Sequence, residues 1–411
     1  MTSDPFRPRR VFVWTWLPGE SAPVVAGAVD RVGADRLDFT YARSYLDNES
    51  AISLYSPELP LRRGAQEPLD GLTIAACLKD ATPDSWGERV IGNRMGSADQ
   101  ELSIETYMLE SGSNRLGAID FQESAEEYLP RLDTASLDDL YDAAEKVLAG
   151  ETLNPAIGDA LMNGTAIGGA HPKVLITDES GVEHIAKLSV STDVHPWIRA
   201  EAVAIELARR CGITVPNARV IKSLGRDVLL IERFDRLPDG QRRNVVSGLT
   251  MLGFDALLGA RYGSYPEMLD VLRELGSAPQ DMGRRLFERV VFNVAIGNND
   301  DHARNHAAFW NGQSLDLTPA FDLTPQVHST DTSAQAMAIG RDGSRASQFS
   351  VCVAAAADYG LSRHEAQQIV DRTISAIDDN WRDAADAAGL SEADRTMLWK
   401  RSILNRSVFY D

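Results

Sequence analysis

GNNDDHARNH, residues 297–306, decides how the rest of this chain reads. It is the densest polar run in the sequence and follows the apolar segment RLFERVVFNVAIGN (285–298). Polar groups gathered this tightly cost free energy unless they are paired or bind something. A single Asp or Asn here would be accounted for by capping the helix that ends at Gly297. The whole run could likewise satisfy itself. The spacing of its members gives two further possibilities.

Asp300 and Asn305 stand five positions apart. In kinase catalytic loops, an Asp at this spacing takes the proton of the substrate hydroxyl and the Asn holds a metal ion. Next come AAFW and SLDL, flanking Asn311-Gly312, which predicts a hairpin. A hairpin returns the chain to its start and so brings Asp322 back towards Asn305. An Asn and an Asp placed this way suit Mg²⁺, which takes few protein oxygens and leaves room for phosphates. The rival chemistry is a metal-dependent hydrolase built on Asp300, His302 and His306. The two histidines are four apart, which on a helix would put two ligands on one face. No Glu stands between them as in HExxH, and WNG (310–312) leaves room only for a very short helix. On the kinase reading His302 is a supporting residue, and Asp301 and His306 have no special part.

A phosphoryl-transfer site also needs cations. Lys187 sits in the otherwise apolar strand HIAKLSV, which is similar to the V-A-I-K strand of kinases. In the next helix Trp197, Ala204, Ile205 and Ala208 define an apolar face, and Glu201 falls on it. A carboxylate among apolar groups calls for a cationic partner, and Lys187 is the natural one. Further upstream, NGTAIGGAHPKVLI (163–176) places Gly168 and Gly169 ahead of Lys173 and a strand. Glycines let backbone N–H groups approach phosphate oxygens, and the lysine adds charge. The spacing is not that of a Walker A loop. In LLIERFDRL (229–237), the strand Val228–Glu232 would offer backbone groups to an adenine. The charges of RFDR fit that hinge or a structural ion-pair network equally well.

The composition sets the frame. Of 411 residues, 44% are hydrophobic and 25% charged, which is globular rather than disordered. A net charge of −19 argues against nucleic-acid binding over the whole surface, because phosphates need Lys and Arg. The three cysteines (Cys77, Cys211, Cys352) lie far apart with no CxxC, which fits a reducing cytoplasm. The first residues lack a signal-peptide core, and no apolar run is long enough to span a bilayer. RVFVWTW, PVVAGAV and LDFTYARSYL read as strands. GLTIAACLKDATPDSWGERVIGNRM reads as helices entered at Thr82-Pro83-Asp84, and SLDDLYDAAEKVLAG as a helix stopped by Gly150. PKVLITD, EHIAKLSV, ARVIKSL and DVLLIERFD read as strands, and beyond about residue 245 the chain turns helical. The expectation is an α+β chain with a strand-rich N-terminal part and a helical C-terminal lobe. Three segments follow: residues 1–120, a nucleotide-binding small lobe over 121–240, and a helical catalytic lobe over 241–411.

GGAHPK, the IAK strand, ERFDR, GNNDDHARN and PAFD fall in an order and spacing that resemble the HipA-like serine/threonine kinases, the toxin halves of bacterial toxin–antitoxin pairs. ATPDSWGERV (81–90) is similar to their amino-terminal segment, and the resemblance covers about residues 10–380. It implies a two-lobed kinase-like fold related to phosphoinositide kinases, with Mg²⁺ and ATP bound between the lobes. Asp300 would be the catalytic Asp, supported by His302, with Asn305 and Asp322 as metal ligands. Lys187, paired with Glu201, would hold the α/β phosphates. Gly168, Gly169 and Lys173 would form the phosphate loop, and Glu232 and Phe234 would lie at the adenine hinge. Family members phosphorylate cytoplasmic proteins, aminoacyl-tRNA synthetases among them. A small helix-turn-helix antitoxin neutralises them and carries the DNA contacts, so DNA would be met only indirectly and no membrane is involved. A chain of this fold without turnover would instead be a co-repressor bound to that antitoxin. One departure stands out. Seven residues before the loop lysine, where the family often carries an inhibitory autophosphorylated Ser, this chain has Ala166, with Thr165 beside it.

Overall fold

The computed structural model describes residues 10–96, 102–132, 135–163, 171–190, 193, 195–327 and 332–410. The chain divides into two compact units. The first holds residues up to Val190, with Ile221–Val246 and Phe309–Gln313. The second holds residues from 193 to Val220, with Ser247–Ala308 and Ser314 onward. The expected segment 1–120 thus falls in the first unit, whereas 121–240 and 241–411 are each shared between the two.

The first unit opens with an antiparallel sheet of β1 (Arg10–Trp16), β2 (Pro23–Val32), β3 (Arg36–Tyr41), β4 (Ala65–Gln66) and β5 (Ile119–Gln122), in the order β4-β3-β2-β1-β5. Alternation along these strands buries Val11, Val13, Leu37, Phe39 and Phe121. LDFTYARSYL is not one strand. β3 stops at Tyr41, and Arg43–Leu46 winds into a single helical turn. The rings of Tyr41 and Tyr45 stack with centroids 5.6 Å apart. A continuous strand would separate residues four apart by about 13 Å.

A second sheet follows in the order β6-β7-β9-β8, from β6 (Lys173–Thr177), β7 (Glu183–Leu188), β8 (Ala218–Ser223) and β9 (Arg226–Glu232). One of its faces is covered by α1 (Ser85–Arg94) and α2 (Leu137–Leu148), so that Trp86, Val90 and Tyr141 pack with Val174, Ala186 and Val228. Asp84 is the N-cap of α1, as the Thr-Pro-Asp signal predicts, and the Ser136 hydroxyl accepts from the Asp139 N–H to cap α2. β10 (Asn244–Ser247) is tied down where the Asn244 amide donates to the Leu54 carbonyl at 2.7 Å.

The second unit is mainly helical. Its chief helices are α3 (Trp197–Arg210), α4 (Tyr265–Glu274), α5 (Pro279–Ile296) and α6 (Arg363–Ala387). A capping box of Ser362 and Glu365 starts α6. Proline opens α5, and Gly297 closes it at φ 69°. Two bonds complete this ending: Asn298 N–H to the Asn293 carbonyl at 2.9 Å and Gly297 N–H to the Val294 carbonyl at 3.2 Å. A Cβ on Gly297 would also stand 2.7 Å from the Ser402 carbonyl, so glycine is required twice over.

β11 (Ala307–Trp310) and β12 (Leu315–Leu317) realise the expected AAFW and SLDL strands. Their connection is four residues long rather than two. Asn311 accepts from the Gln313 N–H at 2.9 Å, a side-chain turn that absorbs the extra residues, and Gly312 takes φ 94°. Thr318 N–H donates to the Ala307 carbonyl at 3.0 Å, which brings the chain back to the end of the polar run. No helix among the described residues is long and apolar enough to cross a membrane. Cys77, Cys211 and Cys352 are all free thiols.

Candidate active site

The polar run sorts its side chains by direction. After Gly297 the backbone makes a turn, then a single 3-10 turn over Ala303–Asn305, then β11. Asp300 is exposed and its carboxylate takes no hydrogen bond among the described residues, while Asp301 is 2% exposed. The Asn305 amide nitrogen donates to the Asp300 carbonyl at 3.2 Å, which fixes the distance between these two residues. That nitrogen is spent inside the loop, so the Asn305 side-chain oxygen is the end left over for a cation. An amide oxygen of this kind is donor chemistry that Mg²⁺ takes.

Asp301 and His306, which the sequence leaves without a part, are the anchors of the loop. Asp301 accepts from Tyr265 Oη at 2.6 Å, Asn293 Nδ2 at 2.7 Å and His306 Nε2 at 2.9 Å. The Tyr265 ring also meets His306 edge-on at 5.5 Å. Burial, with Asp301 alongside, pushes the Tyr265 phenol well above its usual range, so it remains a donor. The His306 carbonyl accepts from Gly248 N–H at 2.7 Å. A side chain at Gly248 would collide with the Ala303 carbonyl, so the loop lies directly on the backbone there.

His306 braces the loop, whereas the His302 side chain makes no hydrogen bond among the described residues and its Nδ1 is unpartnered. The hydrolase arrangement does not form: His306 Nε2 is turned into Asp301, and no cluster of three or more His, Cys, Asp or Glu among the described residues could hold a metal.

Asp322 lies past the hairpin in irregular chain, half-buried, with a left-handed backbone at φ 58°. Asp tolerates that region better than most residues because its short polar side chain bonds locally. Its carbonyl accepts from Asn298 Nδ2 at 3.3 Å, and Gln326 N–H donates to the Gly297 carbonyl at 3.1 Å. The segment carrying Asp322 is thus fastened to the start of the polar run.

In the first unit, Lys173 and Lys187 are direct partners in the antiparallel pairing of β6 and β7, and Lys187 pairs with Leu229 of β9 on its other side. Directly opposed residues share a face. The neighbours Val174, Ala186 and Val228 point into the core under α1 and α2, so both lysines emerge on the opposite face. The Lys173 carbonyl is held by Trp86 Nε1 at 3.0 Å, which gives the ATPDSWGERV segment a definite task in placing this strand. Gly168 and Gly169, like Thr165 and Ala166, lie outside the described residues.

Glu201 is 4% exposed on α3 of the second unit, among Ile198, Ala204, Ile205 and Ala208, as its place on the apolar face requires. Trp197, expected on that face, is only half-buried. Glu232 ends β9 opposite His184. Phe234 meets Phe309 edge-on at 5.8 Å. The charges of RFDR form a structural network. Asp235 is clasped by Arg233 through Nη2 at 2.7 Å and Nε at 3.0 Å, by Arg236 Nη1 at 2.9 Å and by Gly117 N–H at 2.7 Å. Burial pushes the Asp235 carboxyl up, but the two guanidiniums and their hydrogen bonds outweigh it and hold it well below the usual carboxylate range.

A two-unit α+β chain with paired lysines on one sheet and an Asp-x₄-Asn loop among helices is the arrangement of a kinase-type fold. Residues 165–381, more than half of the chain, match the HipA-like C-terminal domain. The chain belongs to the HipA-like family of kinases. It superimposes on the HipA chain of a Shewanella oneidensis MR-1 complex with HipB and operator DNA, with a TM-score of 0.71 at 19% identity, covering 95% of this chain and 96% of that one. The fold is therefore HipA-like. It is 27% identical over 205 residues to the serine/threonine-protein kinase toxin HipA of Shewanella oneidensis, 44% of this chain. It is 28% identical over 151 residues, 34% of its length, to the protein Y4mE of Sinorhizobium fredii. These alignments span 46% and 36% of the two relatives, so the chain matches them over less than half their length.

Proposed function

We propose that this chain is an ATP- and Mg²⁺-dependent protein serine/threonine kinase, the toxin of a HipA–HipB-like pair. The observation that carries the reading is the register pairing of Lys173 with Lys187. Two lysines directly opposed on one face bring two positive charges close together, which suits the binding of a polyphosphate. In this reading Lys187, with Glu201 as its partner, and Lys173, with Gly168 and Gly169 ahead of it, hold the phosphates of ATP. Glu232 and Phe234 border the adenine. Asp300, exposed and uncommitted, orients the target hydroxyl and accepts its proton. Asn305 and Asp322 hold Mg²⁺, which neutralises phosphate charge when bound. In this reading His302 supports the loop that carries Asp300, and its Nδ1, buried and without a partner among the described residues, is the polar atom available for that. Most of the rate comes from positioning and electrostatics, because phosphoryl transfer asks little covalent work of the protein.

The target is a cytoplasmic protein, with an aminoacyl-tRNA synthetase as the first to try, and its phosphorylation slows translation and growth. A small helix-turn-helix antitoxin is the expected partner. The HipB and operator DNA present with the Shewanella chain support this assignment, and the net charge of −19 fits a chain that leaves DNA contacts to another protein.

The test is a thermal-shift and phosphotransfer assay with ATP and Mg²⁺ on the wild type and Asp300→Asn. A ligand that binds only the folded state raises the melting temperature. The wild type is expected to be stabilised by Mg²⁺ with ATP and to transfer phosphate. Asp300→Asn is expected to be stabilised similarly and to transfer phosphate about 10²–10⁴-fold more slowly. No stabilisation by Mg²⁺ with ATP, alongside a response to Zn²⁺ alone, would end the kinase reading.

A further inference from the structure

A chain of buried side-chain amides runs from the anchor of the catalytic loop to the backbone of Asp322. Asp301 accepts from Asn293 Nδ2 at 2.7 Å. The other end of that amide, Asn293 Oδ1, accepts from Asn298 Nδ2 at 2.9 Å. The same Asn298 nitrogen donates to the Asp322 carbonyl at 3.3 Å. Asn293 and Asn298 are each 1% exposed. The backbone repeats the link, since Asn298 N–H donates to the Asn293 carbonyl as α5 ends. Asn298 therefore spends both protons of one nitrogen on two jobs, closing the amide chain and gripping the residue proposed to hold the metal.

That grip falls where the backbone needs it. Asp322 has a left-handed φ of 58°. Asp tolerates that region better than most residues but is still uncommon there, so its surroundings help to hold it. Its immediate neighbours belong to no regular element, so no helix or sheet ladder fixes its dihedrals.

We propose that Asn298 is a positioning residue for Mg²⁺ binding. It holds the Asp322 backbone in its left-handed conformation and couples it, through Asn293 and Asp301, to the loop that carries Asp300 and Asn305. The inference rests on the kinase reading above, with Asp322 as a metal ligand. It assigns Asn298 no contact with nucleotide, metal or substrate. Groups that orient a metal's ligands typically govern affinity by about 10–100-fold.

The experiment titrates Mg²⁺ at fixed ATP and reads the melting temperature, with ATP and no Mg²⁺ as the reference arm. Asn298→Ala is expected to raise the Mg²⁺ concentration for half-maximal stabilisation by about tenfold or more, leaving the Mg²⁺-free response to ATP as in the wild type. In phosphotransfer the same variant should lose kcat at limiting Mg²⁺ and recover it at high Mg²⁺, with the KM for ATP little changed. Should alanine not fold, N298S keeps a donor hydroxyl and more of the volume but is too short to span Asn293 and Asp322, and carries the same expectation. A lower melting temperature with an unchanged Mg²⁺ midpoint would make Asn298 merely structural and overturn the inference while leaving the kinase reading intact. A wild type with no Mg²⁺-dependent response to ATP would overturn both.

Discussion

Arg233–Arg236 and Gly297–His306 are both crowded with charge, and they use it in opposite ways. In the first run, Arg233, Asp235 and Arg236 turn inward and answer one another, the Asn114 side chain and the backbone of Asn114–Gly117. In the second, the two adjacent aspartates part company. Asp301 is sealed among Tyr265, Asn293 and His306, and Asp300 faces out with its carboxylate uncommitted. A charged run therefore marks a site only where some of its polar groups remain unspent after folding. The buried members are the scaffold for the ones left over.

The largest expected effect is the one that separates the two uses. Asp300→Asn should reduce phosphotransfer by about 10²–10⁴-fold, the usual worth of a positioned general base. Its melting temperature should stay at the wild-type value, because no hydrogen bond among the described residues uses that carboxylate. A variant that loses stability along with activity would erase the contrast between Asp300 and its neighbour.

Asp235→Asn should do the reverse. Removing one partner of a buried ion pair leaves the other charge unanswered and costs about 3–5 kcal/mol. The pH dependence has a fixed sign. The folded carboxyl lies below its unfolded value of about 3.9, so its contribution is full above that pH and is lost as pH falls through the folded value. Wild-type stability should therefore fall on acidification below about pH 4. Urea midpoints measured from pH 6 downward should show a flatter acid limb in Asp235→Asn.

Much of this was legible in the sequence and some was not, for one physical reason. Strands from alternation, the Gly297 stop and the return of the hairpin are local signals, and they appear in the structure except for the second half of LDFTYARSYL, which winds into a helical turn. Spacing, which is also local, singles out Asp300, Asn305 and Asp322 as candidates. Asp301 and His306 were passed over because what makes them important lies elsewhere: Tyr265 is 36 positions from Asp301 and reaches it only in the folded unit. Lys173 and Lys187 were each placed in a strand, but their pairing depends on register. That is set by the turn at 178–182, where the Asp178 carboxylate accepts from the Ser180 and Val182 N–H groups. The RFDR alternatives were equal in sequence because burial alone separates them, and Arg233 is 4% exposed.

A smaller effect sharpens the other half of the site. Lys187→Met or Lys173→Met should raise the ATP concentration for half-maximal thermal stabilisation by about 10- to 150-fold, the worth of one charge-assisted hydrogen bond of about 1.5–3 kcal/mol. Asp235→Asn, on the same unit, should leave that midpoint where it is in whatever fraction remains folded. If the lysine variants bind ATP as the wild type does, the opposed pair on β6 and β7 is not a phosphate site.

The smallest expected effect is the control on which the comparison depends. Arg341 and Asp270 form an ion pair at 2.6 Å, marginally shorter than the 2.7 Å of Arg233 with Asp235. Distance alone would rank the two equally. Exposure separates them, at 46% and 51% for the side chains of the first pair against 0% and 2% for the second. At the surface, water and salt screen the attraction, and ordering two long side chains offsets most of what remains, so such pairs contribute about 0–1 kcal/mol. Asp270→Asn should therefore shift the urea midpoint barely beyond error, and by less still at 0.5 M salt, while Asp235→Asn should keep its full effect there, since buried pairs are screened far less. If the two variants cost the same, ion-pair geometry rather than burial governs stability in this protein, and the division of its charged residues into spent and unspent groups would have to be drawn from contacts alone.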